Sequence, residues 1–192
     1  MRIIFKVSAL VIILFAFVST RSYAQFQLNV AGVRSIPIQR GMTLSDGTWG
    51  TGVTVRYFTS PRVAVGVNAR YFTQRSEFGA GTFRSNSRSL MTTGQVEYFF
   101  STRRLRPYVG LEAGLYASNN TTEFYDYGST SPRETFSGTS RNVGLSPKAG
   151  LQWSITQSIG VNAELGYHYI FDGNDNHTAT VSLGAFVKFG KR

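Results

Sequence analysis

Residues 107–117 read Pro-Tyr-Val-Gly-Leu-Glu-Ala-Gly-Leu-Tyr-Ala. Pro107, Val109, Leu111, Ala113, Leu115 and Ala117 share one face; Tyr108, Gly110, Glu112, Gly114 and Tyr116 share the other. A period of two is the mark of a β-strand. The second face is what constrains the fold. Glycine, two tyrosines and one carboxylate make neither a crowded solvent face nor a dry core. The same grammar returns at 26–33, 48–58, 63–74, 87–100, 142–154, 159–171 and 178–189, which gives eight strands. Two places strain the pattern. Gly32-Val33-Arg34 blurs it and suggests a bulge, with the first strand running on toward Ile38. Pro147 lacks an N–H for the ladder and suggests a second bulge.

The connections alternate in length. Segments 59–62, 101–106 and 155–158 are tight turns, whereas 39–47, 75–86, 118–141 and 172–177 are longer, polar loops. Antiparallel neighbours put all the tight turns at one end and all the loops at the other. That asymmetry belongs to membrane barrels, and so does the strand length, since a tilted membrane strand needs about 9–11 residues. The sequence therefore predicts an all-β fold, an eight-stranded antiparallel up-and-down transmembrane β-barrel.

Period alone does not say which face is inside, but the charges do. Arg56, Arg70, Glu97, Glu112, Lys148, Glu164 and Lys188 all fall on the less apolar face. They read as a salt-bridged plug filling a narrow lumen, because interior charges must be paired or hydrogen-bonded. An ion path is the sharper alternative, and a soluble barrel with these charges in water is another. The apolar faces then meet lipid. Tyr57, Phe99 and Phe100 are expected in an aromatic girdle at the tight-turn end, and Tyr71, Tyr116, Tyr167 and Tyr169 toward the loop end.

Residues 1–24 have the form of a signal peptide: Arg2 and Lys6, an apolar run over 7–18, then Ser22-Tyr23-Ala24. Cleavage after Ala24 would leave 25–192 as one barrel domain. Removing Arg2, Lys6 and Arg21 lowers the formal charge from +10 to +7. In an exported chain this balance excludes nucleic acid as a natural partner and favours anionic lipid or lipopolysaccharide. Arg75, Arg84, Arg88, Arg133 and Arg141 are candidate contacts for lipopolysaccharide phosphates, since guanidinium suits bidentate phosphate binding. The chain has no cysteine, so no disulfide framework exists.

With Arg106-Pro107-Tyr108-Val109-Gly110 and the closing Gly184-Ala185-Phe186-Val187-Lys188-Phe189, the chain resembles the small eight-stranded outer-membrane barrels. That class contains the transmembrane domain of outer membrane protein A. The likeness is strongest to the single-domain outer membrane protein beta-barrel proteins of Gram-negative bacteria such as the Bacteroidetes. The resemblance covers nearly all of 25–192. It implies the cell outer membrane, a monomer inserted by the barrel insertion machinery, and both termini on the periplasmic side. Many such barrels end on an aromatic residue; here Gly190-Lys191-Arg192 follows Phe189.

Some barrels of this architecture act on lipid A, which would require a catalytic set. Lipid hydrolysis needs a Ser–His pair with an acidic orienter. His168 is expected at the upper rim, hydrogen-bonded, with Glu164 on its face and Ser182 or Ser146 on neighbouring strands. A His–Ser pair two residues apart is absent, since position 170 is Ile, and His177 falls in a loop. No catalytic residue is assigned. Asp172-Gly173-Asn174-Asp175-Asn176 opens like a calcium loop, but position twelve is Leu183. Gly79 to Gly81 lacks the lysine of a phosphate loop. No metal site and no cofactor are expected. Phe124, Tyr125, Tyr127 and Phe136 in the 118–141 loop are candidate anchors for an extracellular protein or glycan. The expected function is non-enzymatic: envelope structure, surface contact or adhesion. A lipid A-modifying enzyme and a narrow pore or assembly accessory are the alternatives.

Overall fold

The structure, a computed structural model, describes residues 25–38, 47–78, 82–126, 131–171 and 176–190. Eight strands form in order: β1 (Gln25–Pro37), β2 (Thr48–Phe58), β3 (Val63–Phe78), β4 (Phe83–Phe99), β5 (Leu105–Tyr125), β6 (Pro132–Ser154), β7 (Ile159–Phe171) and β8 (Asn176–Phe189). Each pairs antiparallel with its sequence neighbour, and β8 closes on β1. Closure removes every sheet edge within the barrel wall, which hydrocarbon requires. The two described ends of the chain meet at the tight-turn end, where Phe26 faces Tyr57 on one side and Phe189 on the other.

The wall is apolar outside and polar inside. Val67, Leu115, Leu165 and Leu183 are each about 60% exposed or more, while Arg56, Glu112 and His168 are 0% exposed. Only a hydrocarbon surround makes that distribution stable. Exposed aromatics bound the apolar band: Phe26, Tyr98, Phe100, Trp153 and Phe189 at the tight-turn end, and Trp49, Tyr71, Tyr167 and Phe171 at the other. Phe99 is not in this girdle. It turns inward and packs, fully buried, with Phe58, Ala64 and Tyr108. Adjacent residues on a strand point opposite ways, so Phe100 takes the lipid side and Phe99 the lumen.

Three sequence expectations are corrected by the ladders. The segments 75–86 and 118–141 are largely strand, because β3 and β4 pair as far as Phe78 opposite Phe83, and β5 and β6 as far as Tyr125 opposite Pro132. Above the lipid band both faces meet water. A strand there needs no apolar alternation, and its Ser, Thr and Asn content reads as loop. At Gly32-Val33-Arg34 there is no bulge. Both ladders of β1 keep one register throughout, so Val33 points inward and is buried. Pro147 creates no bulge either. The β6–β7 register is the same on both sides of it, and only the pairs opposite Ser146 and Pro147 drop out.

Inward glycines are explained by close approach. Tyr108 lies over its cross-strand neighbour Gly150, where any added Cβ would fall within the ring. Phe186 covers Gly160 across the β7–β8 pair in the same way. Each ring fills the hole that a missing side chain leaves, so the small lumen is packed without strain on the backbone.

Candidate functional site

Inward positions on six strands bring three cations and three carboxylates together. Arg56 on β2 grips Glu97 on β4 at both oxygens, with Nε–Oε2 at 2.6 Å and Nη2–Oε1 at 3.0 Å. Arg70 on β3 grips Glu112 on β5 likewise, at 2.7 and 3.0 Å. Glu164 on β7 bridges them, 2.9 Å from Arg70 and 3.4 Å from Arg56. Lys148 on β6 sits among all three carboxylates, at 2.7 Å from Glu97, 2.8 Å from Glu112 and 3.0 Å from Glu164. The cluster is charge-neutral, and neutral groups add further hydrogen bonds, although Arg56 Nη1 has no hydrogen-bond partner among the described residues. Tyr108 donates to Glu164, Thr93 and Asn68 donate to Glu112, and Gln95 accepts from Lys148. Buried charge is tolerated on these terms.

Lys188 shares the inward face but is held at a different place. Its Nζ donates to Ser154 Oγ at 3.0 Å and lies 5.1 Å from the Phe186 ring centre. Parity along a strand gives a side chain's direction and not its depth, which is why the sequence groups Lys188 with the other six. The sequence pattern also missed the apolar layer beyond the charges. Ala31, Val33, Phe72, Met91 and Tyr116 form a buried cluster with Ile170 against it. On the other side lies the layer of Phe58, Ala64, Phe99 and Tyr108, with the Arg106 guanidinium 4.3 Å from the Phe99 ring centre. The charged cluster is thus closed in between two apolar layers. Inward parity of Val33 and Met91 carried the signal, hidden at Val33 by the supposed bulge.

His168 is not a rim residue. It is fully buried, with Tyr116 Oη 2.9 Å from Nδ1 and Thr180 Oγ1 2.9 Å from Nε2. Both ring nitrogens are engaged and neither meets a serine, while Glu164 is committed to cations. His177 belongs to β8 and not to a loop, and it stacks on Tyr167 at 5.7 Å. Among the described residues no group of three His, Asp or Glu is placed to hold a metal ion. Residues 172–175 of the calcium-like turn lie outside the described residues.

At the far end β3 to β6 outgrow their neighbours. The last β2–β3 pair is Gly50–Phe72, and the last β6–β7 pair is Val143–Phe171. Beyond them stands a four-stranded sheet whose outer edges, 75–78 and 132–142, have no strand beside them among the described residues; Gln74 still meets Thr48 of β2, at 2.7 Å. The partner-anchor candidates divide here. Phe124 packs between Phe83 and Phe136, at 5.2 and 5.9 Å. Tyr125 donates to Glu123 Oε2 at 2.7 Å, a bond that raises its phenol above the ordinary value, and Arg84 lies over its ring. Tyr127 lies outside the described residues. Of the arginine set, Arg75, Arg84 and Arg88 line one recess of about 320 Å³ together with Glu77 and Glu123. Arg84 pairs with Glu77 at 3.1 Å and Arg133 with Asp126 at 3.6 Å, both pairs exposed. Arg141 is exposed on β6, opposite Ala117.

Comparison with known proteins agrees with this architecture. The crystal structure of Ail, the attachment invasion locus protein of Yersinia pestis, aligns with a TM-score of 0.64 at 16% identity, over 88% of this chain and 100% of that one. A major outer membrane protein from Thermus thermophilus aligns at 0.61 and 13% identity, over 88% and 100%. Neisserial surface protein A aligns at 0.56 and 16% identity, over 88% and 98%. At such identities the likeness is one of fold. No curated protein sequence matches the chain. Residues 7–189 match the family described as outer membrane protein beta-barrel domain, and the chain belongs to that family, as an outer-membrane barrel.

Proposed function

We propose that this barrel is a non-enzymatic, closed anchor whose task is surface contact, with both termini in the periplasm and the projecting sheet outside the cell. The observation that carries the reading is the sheet itself. It rises past the apolar band with two edges unpaired among the described residues; on the β6 edge Pro132, Arg133 and a register shift lie at the tip, and residues 135–140 carry no charge and no proline. Natural proteins usually guard such an edge with Lys, Pro or a bulge, because its free N–H and C=O groups template another strand. An edge left unguarded over 135–140 and held outside the membrane favours a partner that adds to it there. A catalytic role is disfavoured by the engaged nitrogens of His168, and an open pore by the two apolar layers that close the lumen. Arg88 and Arg141, exposed near the top of the apolar band, are proposed to meet lipopolysaccharide phosphates.

The test is a barrel in which 119–139 is replaced by an Asn-Gly turn, compared with the parent in cells. We expect unchanged heat-dependent gel mobility and loss of most adherence to immobilised matrix protein or sulfated glycan. The glycan is a reasonable probe because Ail of the same fold was crystallised with the heparin analogue sucrose octasulfate. Full adherence by the shortened barrel would refute the reading.

A further inference from the structure

The charges of this molecule are sorted by end. The lumen cluster is neutral. Outside it, every described carboxylate belongs to the projecting end, Glu77, Glu123, Asp126 and Glu134 on or beside the sheet; in sequence, Asp46, Asp172 and Asp175 fall in the β1–β2 and β7–β8 connections. Arg34, Arg40 and the five arginines of the candidate lipopolysaccharide set match them in number. The basic excess therefore does not lie where lipopolysaccharide would meet it. It lies at the tight-turn end, with Arg62, Arg103, Arg104, Arg106 and Lys188, followed in sequence by Lys191 and Arg192. The three tight turns contain no Asp or Glu, so the described residues of that end carry five cations and no carboxylate.

We propose that the tight-turn end binds the phosphate headgroups of anionic phospholipids in the leaflet it touches. Arg62, Arg103 and Arg104 are exposed at the level of the aromatic girdle, Arg103 and Arg104 between Phe100 and the exposed Leu105, while Arg106 and Lys188, each 7% exposed, face the mouth of the lumen. A recess of about 660 Å³ opens there, lined by Arg103, Arg104, Arg106 and Lys188, with no Asp or Glu among its described lining residues. Ile155 also lines it and is 54% exposed, so the recess has an apolar lip continuous with the lipid band. A ligand with a phosphate and an acyl chain satisfies both walls; a wholly polar cell-wall polymer satisfies only one. Guanidinium groups grip phosphate bidentately, and clustered basic residues beside a membrane favour anionic lipid. The inference rests on membrane placement and not on the surface-contact role.

The test uses the full mature chain in phosphatidylcholine vesicles doped with spin-labelled phosphatidylglycerol or spin-labelled phosphatidylcholine. The fraction of motionally restricted lipid is read by electron spin resonance. We expect the anionic lipid to be preferred at least about three-fold. The preference should fall to parity in R62Q/R103Q/R104Q and persist in R84Q/R88Q at the opposite end. Equal association of both lipids with the parent would overturn the proposal, as would a preference that survives the triple substitution. Heat-dependent gel mobility checks that the variants fold. Should the triple variant not fold, salt decides: the preference must shrink in about 0.5 M NaCl, because exposed charges are screened, and a salt-insensitive preference counts against it. Co-sedimentation with purified cell-wall sacculi without any lipid preference would reassign the basic end to a polymer.

Discussion

Replacing Lys148 by methionine will lower the stability of the barrel by about 3–5 kcal/mol, the cost of breaking a buried ion pair from one side. The geometry makes this the most damaging single change in the lumen. Among the described residues Lys148 alone touches Glu97, Glu112 and Glu164 together, so its loss leaves three buried carboxylates facing two arginines. The measurement is a urea unfolding curve in lipid vesicles, read by tryptophan fluorescence and by gel mobility. A second substitution makes the claim specific. In K148M/E164Q the two bidentate pairs, Arg56 with Glu97 and Arg70 with Glu112, remain intact and the cluster is neutral again. The double variant should regain at least half of the loss, a coupling that independent sites do not show. A double variant no better than the single one would mean that the charges act separately.

Gly150→Val is expected to be the next most costly change, by about 1–3 kcal/mol of overpacking. The new side chain would occupy the space of the Tyr108 ring, which is itself fixed by its hydrogen bond to Glu164 at 2.8 Å. Displacing the ring therefore also loosens the charge cluster. Gly94→Val is the control. A Cβ at Gly94 meets only the Ala113 carbonyl, at 3.9 Å, so its effect should stay within about 0.5 kcal/mol. In a Tyr108→Ala background the Gly150 substitution should cost clearly less than in the parent. Equal costs at Gly150 and Gly94 would remove the ring-over-glycine account of the lumen.

Much of the fold was legible because a half-apolar strand writes itself into sequence as a period of two. Glu97, Glu112 and Glu164 were visible as inward charges on that basis alone. Their partners were not, because which cation reaches which carboxylate depends on strand tilt and stagger around the closed barrel. Depth was invisible for the same reason, as Lys188 shows. The projecting sheet was illegible for a different one. Residues 118–125 and 132–141 have water on both faces, so nothing forces polar and apolar residues to alternate, and serine, threonine and asparagine there look like loop. At Gly32-Val33-Arg34 an inward valine looked like a break in a polar face. It proved to be part of an apolar layer that no single strand can reveal.

Pro147 interrupts one ladder only: β5–β6 pairs straight through it, while β6–β7 lacks its rungs opposite Ser146 and Pro147. The β6–β7 line is therefore a seam in an otherwise continuous wall. A cylinder held by cooperative rungs breathes where rungs are missing, and unfastening spreads most easily from an existing gap. Lys148, the next residue, reaches from that seam to carboxylates on three other strands. The ion cluster thus works like a tie rod, holding shut the joint that the proline leaves half stitched.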